Sequence, residues 1–282
     1  MKGKKIVSTL LALLLLASLP MSARAAEYDI GNGDITVNAG SGGQTVTQGS
    51  QVDIPDSAPV ITGSSTENIV TIHAGKDQTA NVTLSDVNID MGGKYDKAAV
   101  STTGDGNVSI ELNGDNKLRS GQDHAGLEKN NGGSLTIADE DKNGKLTAEG
   151  GLGGAGIGGG DHGNGDDIAI TGGEVEATGG TSGAGIGGGN GGDGKYIKIT
   201  GGKVDAKGGT EGAGIGGGRK GDGSDITITG GEVTATGGDY GAGIGGGLEG
   251  DGRDIAISGG EVKAEGGLGG AGIGGGDHGN GD

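Results

Sequence analysis

The seven residues Gly154-Ala-Gly-Ile-Gly-Gly-Gly160 decide the fold of this chain, because the same seven recur from Gly183, Gly212, Gly241 and Gly270. Each copy begins 29 residues after the one before it. A fixed period of this length is the sequence signature of a solenoid or another repeat architecture. A flexible linker would need no strict period. A phosphate-binding loop would be closed by Lys-Ser/Thr and followed by a helix.

One period contains three short segments in which apolar residues alternate with other residues. In the copy from 183 to 211 these are Ala184-Gly-Ile186, Ile197-Lys-Ile199 and Val204-Asp-Ala206. Residues two apart point to the same face of an extended strand. Three strands and three corners per period predict an all-β fold, a right-handed parallel β-helix (β-solenoid) in which strands of neighbouring coils pair. This copy holds 12 glycines. Each glycine would cost about 1 kcal/mol in an α-helix, which excludes a helical repeat.

The composition limits the size of the hydrophobic core and the classes of partner that the chain can bind. The 282 residues include 75 Gly but no Cys, Phe or Trp, so only a thin core of small aliphatic side chains can form. Such a composition is typical of disorder, but the strict period favours a folded solenoid. The formal charge is −18, which argues against nucleic-acid partners and anionic membrane surfaces.

Residues 1–25 are predicted to be a signal peptide. Lys2, Lys4 and Lys5 precede an apolar run from Ile6 to Leu19, and Ala23-Arg-Ala25 has small residues at the two positions that a signal peptidase reads. We therefore expect secretion, to the extracellular space or the cell surface, with cleavage after Ala25. A retained signal anchor is the alternative. Cleavage removes four positive charges, so the mature charge is −18 − 4 = −22.

The remaining chain divides into three stretches of increasing regularity. Residues 26–80 are predicted to form an N-terminal cap and irregular first coils, since they contain strand-like pieces without the period. Residues 81–153 are predicted to be degenerate coils, with the order of strands kept but the spacing variable. Residues 154–282 are the regular 29-residue array. Because the sequence stops in mid-coil, we expect a truncated C-terminus and an open edge that allows end-to-end association.

Several segments resemble a known bacterial family. They are Tyr28-Asp-Ile-Gly-Asn-Gly-Asp-Ile-Thr-Val37, Val82-Thr-Leu-Ser-Asp-Val-Asn-Ile89 and Ser134-Leu-Thr-Ile137, together with the array itself. The chain is similar over most of its length to secreted β-helix proteins labelled carbohydrate-binding domain-containing, which carry glycine-rich repeats. The resemblance implies cell-surface polysaccharide binding or adhesion, often with calcium. It supplies no binding residue that can be matched position by position.

Acidic residues form two columns at the corner after each Gly-Gly-Gly. The first column is Asn164, Asp193, Asp222, Asp251 and Asn280, and the second is Asp167, Tyr196, Asp225 and Asp254. One interpretation is turn chemistry, because Asn and Asp tolerate the left-handed backbone that corners need. The other is calcium, because carboxylates stacked one coil apart repel unless a cation with oxygen ligands bridges them. The candidate metal ligands are Asp193, Asp222, Asp225, Asp251 and Asp254.

Other features give weaker functional signals. The middle glycines Gly156, Gly185, Gly214, Gly243 and Gly272 could form a bare docking strip, or they could reflect close approach of backbone. His162, His278 and His124 are expected to be isolated surface residues rather than metal ligands.

No singular pair of carboxylates suggests catalysis, so we expect a non-enzymatic protein that binds polysaccharide. The alternatives are a structural spacer or adhesin stalk and, less favoured, a polysaccharide lyase, since fold alone does not imply function.

Overall fold

The period of the sequence is one turn of a β-solenoid. In the computed structural model, which describes residues 25–281, nine successive strands of one sheet pair in parallel, so the chain makes about nine coils. Each complete coil contributes one strand to each of three parallel sheets. The predicted parallel, three-stranded coil is thereby confirmed. The predicted signal peptide, except for Ala25, lies outside the described residues.

The sheet that carries the Ala-Gly-Ile segments is called the Gly sheet. Its strands are Ile35–Gly40, Gly43–Gln48, Gln51–Pro55, Val70–Ala74, Val100–Thr103, Leu127–Lys129, Ile157–Gly158, Ile186–Gly187, Ile215–Gly216, Ile244–Gly245 and Ile273–Gly274. In the array only two residues per coil are strand, but the backbone bonds continue on both sides. For example, Gly185 N–H donates to Ala213 O at 3.0 Å and Gly188 N–H donates to Gly216 O at 2.9 Å.

The Ile sheet and the Val sheet are named after the Ile-x-Ile and Val-x-Ala segments. The strands of the Ile sheet are Glu27–Asp29, Val60–Thr62, Thr79–Ser85, Asn107–Asn113, Leu135–Ala138, Ile168–Ile170, Gly194–Lys195, Lys198–Ile199, Gly223–Ile228 and Gly252–Ile257. Those of the Val sheet are Ser64–Ser65, Asn88–Asp90, Asp115–Arg119, Lys145–Glu149, Glu174–Thr178, Lys203–Lys207, Glu232–Thr236 and Glu261–Glu265.

The core is a continuous column of small aliphatic side chains between the three sheets. In the coil that starts at Ala184, the six predicted inward positions are all buried: Ala184, Ile186, Ile197, Ile199, Val204 and Ala206. Burial of each Val or Ile contributes about 1.5–3 kcal/mol, so a coil needs no aromatic residue to be stable. At the C-terminal end the inward residues Ile257 and Ile273 are 40% and 49% exposed.

The first described residues form a cap of a different kind. Strand Ile35–Gly40 pairs in parallel with Val70–Ala74, but on its other side it pairs antiparallel with Gly43–Gln48, which in turn pairs with Gln51–Pro55. The outermost strand ends in a proline and contains Asp53 in a left-handed conformation (φ 51°). Both features discourage further strand pairing at an edge. One 3₁₀ turn, Ile30–Asn32, is present, and no helix within residues 25–281 is long and apolar enough to cross a bilayer.

The degenerate coils keep the strand order but vary in length. In the Gly sheet, Val70 pairs with Val100, Val100 with Leu127, and Leu127 with Ile157, so the second of these coils is shorter than the other two. From Ile157 onward the paired isoleucines follow one another at the constant period of the array. The longest coil of the degenerate stretch runs from Leu135 to its partner Ile168 in the Ile sheet.

Candidate functional site

The recurring glycines of the array are explained by contact between coils. The first glycine after each isoleucine, at 158, 187, 216, 245 and 274, has φ between 131° and 135°, which L side chains rarely adopt. A Cβ placed on Gly187 would lie 1.9 Å from the carbonyl oxygen of Gly216 in the next coil. The Gly-Gly-Gly run is therefore required by the stacking of coils and needs no ligand to account for it.

Of the two interpretations of the middle glycines, close approach of backbone is confirmed and the docking strip is wrong. Gly156, Gly185, Gly214 and Gly243 are buried, and only Gly272 in the last coil is exposed. A Cβ on Gly185 would lie 2.6 Å from both Lys207 N and Gly214 O. The backbone at the end of the Val-sheet strand and that of the next coil cover this position, so the glycines permit close approach within the solenoid and do not form an open surface.

The first acidic column is a ladder from side chain to backbone. Asp222 N–H donates to Asp193 Oδ1 at 2.8 Å, and Asp251 N–H donates to Asp222 Oδ1 at 2.9 Å. The same bond joins Asp193 N–H to Asn164 Oδ1 at 3.0 Å and Asn280 N–H to Asp251 Oδ1 at 2.7 Å. Asn164, Asp193, Asp222 and Asp251 thus each satisfy a backbone donor one coil further along.

Basic side chains compensate part of the negative charge in this column. Lys195 Nζ lies 2.6 Å from Asp193 Oδ2, and Arg253 forms a hydrogen-bonded ion pair with Asp222. The hydrogen bond to Asp193 raises the pKa of Lys195. The backbone N–H of Asn280 lowers the pKa of Asp251. The repulsion that motivated the calcium hypothesis is therefore relieved in part by protein groups.

The second acidic column is explained by backbone conformation. Asp167, Tyr196, Asp225 and Asp254 have φ between 54° and 56°, so all four are left-handed. Asp adopts this conformation more readily than most residues, which accounts for its recurrence. Tyr196 is the exception, a bulky side chain in the same conformation and 57% exposed.

The structure does not bring the five candidate aspartates together as one ligand set. Asp193, Asp222 and Asp251 belong to the ladder, whereas Asp225 and Asp254 belong to the left-handed column. Within residues 25–281 no three His, Cys, Asp or Glu side chains are grouped closely enough to hold a metal ion. Calcium binding stays a prediction.

The three histidines considered above, out of four in the chain, differ in their surroundings. His162 and His278 have exposed side chains (77% and 78%) and lie 3.6 and 3.9 Å from the carboxylates of Asp161 and Asp277. His124 is instead half-buried, with Nδ1 2.6 Å from Glu128 Oε2. This hydrogen bond raises the pKa of His124, against the lowering effect of burial.

Sequence reasoning missed Glu128, which is itself buried. It accepts the Ala125 N–H at 3.1 Å and the Asn130 amide at 2.6 Å in addition to contacting His124. Glu128 pairs in the Gly sheet with Gly158, so it stands where every coil of the array has glycine. An acidic residue in a column that is otherwise glycine was the signal that could have identified it.

A polar groove lies on the outer surface of the Ile sheet, in the degenerate coils. Its volume is about 320 Å³. The floor consists of outward residues of two adjacent strands, Asn81 and Thr83 on one and Ser109 and Glu111 on the other, with Asn81 opposite Ser109 and Thr83 opposite Glu111. Ala58 forms one rim, and Glu140 with Asp141 forms the other.

The acidic rim exists because one corner is longer than its equivalents in the array. Ile137 and Lys145 are separated by seven residues, whereas their partners Ile170 and Glu174 are separated by three. Asp139 closes the loop by accepting the N–H groups of Asn143 and Gly144 at 3.2 and 3.1 Å. The four extra residues place Glu140 beside the floor of the groove.

Glu111 connects the floor of the groove to its rim. The backbone N–H of Glu140 donates to Glu111 Oε1 at 2.6 Å. Burial raises the pKa of Glu111, and the carboxylates of Glu140, Asp139 and Asp141 act in the same direction, while this hydrogen bond opposes them. The groove therefore offers acceptor oxygens, hydroxyls and an amide within one concave surface.

Comparison with protein families identifies the repeat. Five segments match the model of the family described as β-helix repeat, at residues 142–161, 168–190, 197–219, 226–248 and 255–277. This region is similar to the β-helix repeat family. Each of the last four segments covers one strand of each sheet. No curated protein and no solved structure matches the chain. The floor of the groove precedes the matched residues, so the match does not address its ligand.

Proposed function

We propose that this chain is a secreted, non-enzymatic β-solenoid that binds a polysaccharide at the cell surface through the polar groove of its degenerate coils. The groove is the observation that carries the proposal. Its volume of about 320 Å³ lies within the range of small-ligand sites, which is roughly 300–1,000 Å³. Convergent polar groups in a concave surface are what such sites use to orient a ligand.

The groups in the groove suit sugar hydroxyls. The Asn81 amide can both donate and accept, the hydroxyls of Thr83 and Ser109 can do the same, and carboxylates are strong acceptors. The lining contains no aromatic ring on which a sugar could stack. Recognition would therefore depend on hydrogen bonds to the sugar hydroxyls.

The charge of the groove narrows the class of glycan. Glu111, Glu140 and Asp141 make it acidic, and the whole chain carries a formal charge of −18. Anionic polysaccharides would be repelled, so we propose a neutral or amine-bearing polysaccharide. The same repulsion disfavours a polysaccharide lyase that acts on pectin. Such a lyase would be recognised by the release of product from pectin in the presence of calcium.

The regular array is proposed to act as a rigid spacer for this site. Its outward positions on the Ile sheet, equivalent to the groove floor, are Ala169, Lys198, Thr227 and Ala256, and the corner beside them has no added loop. If the protein were a purely structural stalk, the array would serve only as a spacer and the groove would bind no ligand.

Retention on insoluble polysaccharides, followed by a glycan array of plant and host glycans, tests the proposal. We expect retention on at least one neutral or amine-bearing glycan and a loss of about tenfold or more in E111Q, since hydrogen bonds to charged groups contribute about 1.5–3 kcal/mol. K198A changes an outward residue of the same sheet in the array and should bind like the parent protein. No retention on any glycan would favour the stalk, and equal losses in both variants would place binding elsewhere.

A further inference from the structure

A buried carboxylate near the beginning of the described chain lacks a cationic partner. Asp56 is 3% exposed, and its two oxygens accept the backbone N–H groups of Ala58 at 3.1 Å and Ala26 at 3.0 Å. Among the ion pairs of residues 25–281, none involves Asp56. A buried charge is costly unless it is paired. Within residues 25–281, the side chains of the structure supply no positive group at this position.

The surroundings of Asp56 point to where that positive group would be. The phenol of Tyr28 is buried beside this carboxylate, and burial, the Asp56 charge and hydrogen bonding to the Asp56 side chain all raise its pKa. The third group in this place is the nitrogen of Ala26, which as an amide has one proton to donate. An ammonium group would have three, enough for the carboxylate and for an additional acceptor such as the phenol oxygen.

The sequence places a predicted cleavage at this same nitrogen. Signal-peptide cleavage after Ala25 would break the bond between the carbonyl carbon of Ala25 and the nitrogen of Ala26. The hydroxyl of a water molecule goes to the carbonyl carbon, and the nitrogen gains a proton to become an amine. A second proton from solvent makes it an ammonium ion, its usual state at neutral pH and below.

We propose that cleavage after Ala25 makes Ala26 the first residue, and that its α-ammonium group forms a buried ion pair with Asp56 that fixes the first strand of the solenoid. The carbonyl oxygen of Ala26 already accepts the Val60 N–H at 2.9 Å, and Glu27 and Tyr28 pair with Val60 and Ile61. Ala26 would then be held on both sides. The inference rests on the secretion proposed above and is independent of what the groove binds.

The test compares two purified chains that differ by one residue. Chain 26–282, released from a fusion protein with a free Ala26 amine, is compared with chain 25–282, in which Ala25 is retained and the ammonium group is displaced by one residue. We expect the first chain to unfold at a temperature at least about 2 °C higher. In D56N the difference should fall below about 1 °C. Equal unfolding temperatures of the two parent chains would overturn the proposal.

A matched substitution and a sequencing experiment complete the test. Asp86, whose Oδ1 accepts the Asp115 N–H at 2.9 Å, is a carboxylate of another coil, so D86N should lower both chains equally and preserve their difference. If D56N does not fold, acetylation of Ala26 in the parent chain replaces it and should remove the same difference. N-terminal sequencing of the exported protein should begin at Ala26. Any other first residue overturns the inference, whereas loss of glycan retention alone does not affect it.

Discussion

The degenerate coils of residues 81–153 and the regular coils from residue 154 onward share one core but use it differently. In the array, every coil presents the same six small inward side chains, and every step from one coil to the next has the same length. In the degenerate coils, Leu84, Leu112 and Leu118 enlarge the core, and the steps differ in length. Both the groove and the buried Glu128 depend on this irregularity.

The comparison teaches that regular coils and irregular coils contribute differently to this solenoid: the regular coils stabilise one another, and the irregular coils form single sites. A column of identical residues can satisfy backbone groups from coil to coil, as the Asx ladder does, but it repeats any surface feature in every coil. A single site needs an interruption, such as the four extra residues that place Glu140 beside Glu111. The predictions below test this division, beginning with the largest expected effect.

The strongest test places a methyl group between two coils of the array. In G187A the new Cβ meets the Gly216 carbonyl at 1.9 Å on a backbone with φ 133°, so we expect a loss of about 3 kcal/mol or more in the free energy of unfolding. Chemical denaturation measures it. G93A in the degenerate coils, where the space around the Cβ is open, should change stability by less than about 1 kcal/mol. Similar losses in both variants would remove the distinction between the two regions.

The Asx ladder should give the next largest effect. D193A leaves the Asp222 N–H without its acceptor and Lys195 without its ion-pair partner, which we expect to cost about 1–2 kcal/mol. D193N keeps an oxygen for the N–H and should lose less than half as much. Thermal and chemical unfolding of the two variants separate the hydrogen bond from the charge. If D193N is as damaging as D193A, charge and not the ladder stabilises the corner.

The array was predictable from the sequence because one period corresponds to one coil, with its strands at fixed positions. Identical apolar pairs two residues apart predicted the inward face and the pairing partner, and the structure confirms both. The strands are shorter than predicted in the Ala-Gly-Ile segments, where only two residues per coil are strand. The degenerate coils of residues 81–153 were also predicted, together with the order of their strands. Their lengths were not, because a shifted or longer corner leaves no periodic signal.

The surface properties were harder to predict, for a physical reason. Alternation assigned Gly185 to an outward face, but the backbone of the same coil folds over it, which depends on how the corner bends. Likewise the groove joins residues 58, 81 and 140, which are distant in sequence and become neighbours only through the register of the Ile sheet. From the sequence we predicted that Asn and Asp residues occupy the corner, but not which groups their carboxylates contact.

The pair of His124 and Glu128 should make stability depend on pH in a way that the array cannot. Glu128 raises the pKa of His124 above its ordinary value of 6.5, so the stabilisation is complete below pH 6.5 and is lost as the pH rises through the raised pKa. We expect a change of about 1 kcal/mol or less between pH 6 and 8. H124Q should flatten this dependence, whereas H162Q, at an exposed corner of the array, should leave it intact. An unchanged pH profile in H124Q would show that the pair does not contribute to stability.

Calcium should produce the smallest effect on stability. Its effect tests whether the acidic corners of the array bind a metal ion. Because Asp193 and Asp222 already pair with Lys195 and Arg253, a cation there would have to displace a protein group. We therefore expect millimolar calcium, added to a chelator-treated sample, to raise the unfolding temperature by about 1 °C, through Asp225 and Asp254. Calorimetry of the parent protein and of the D225N/D254N double variant measures it. No change in the parent contradicts calcium binding, whereas a rise of several degrees would mean that calcium replaces the basic side chains and that the corners bind metal.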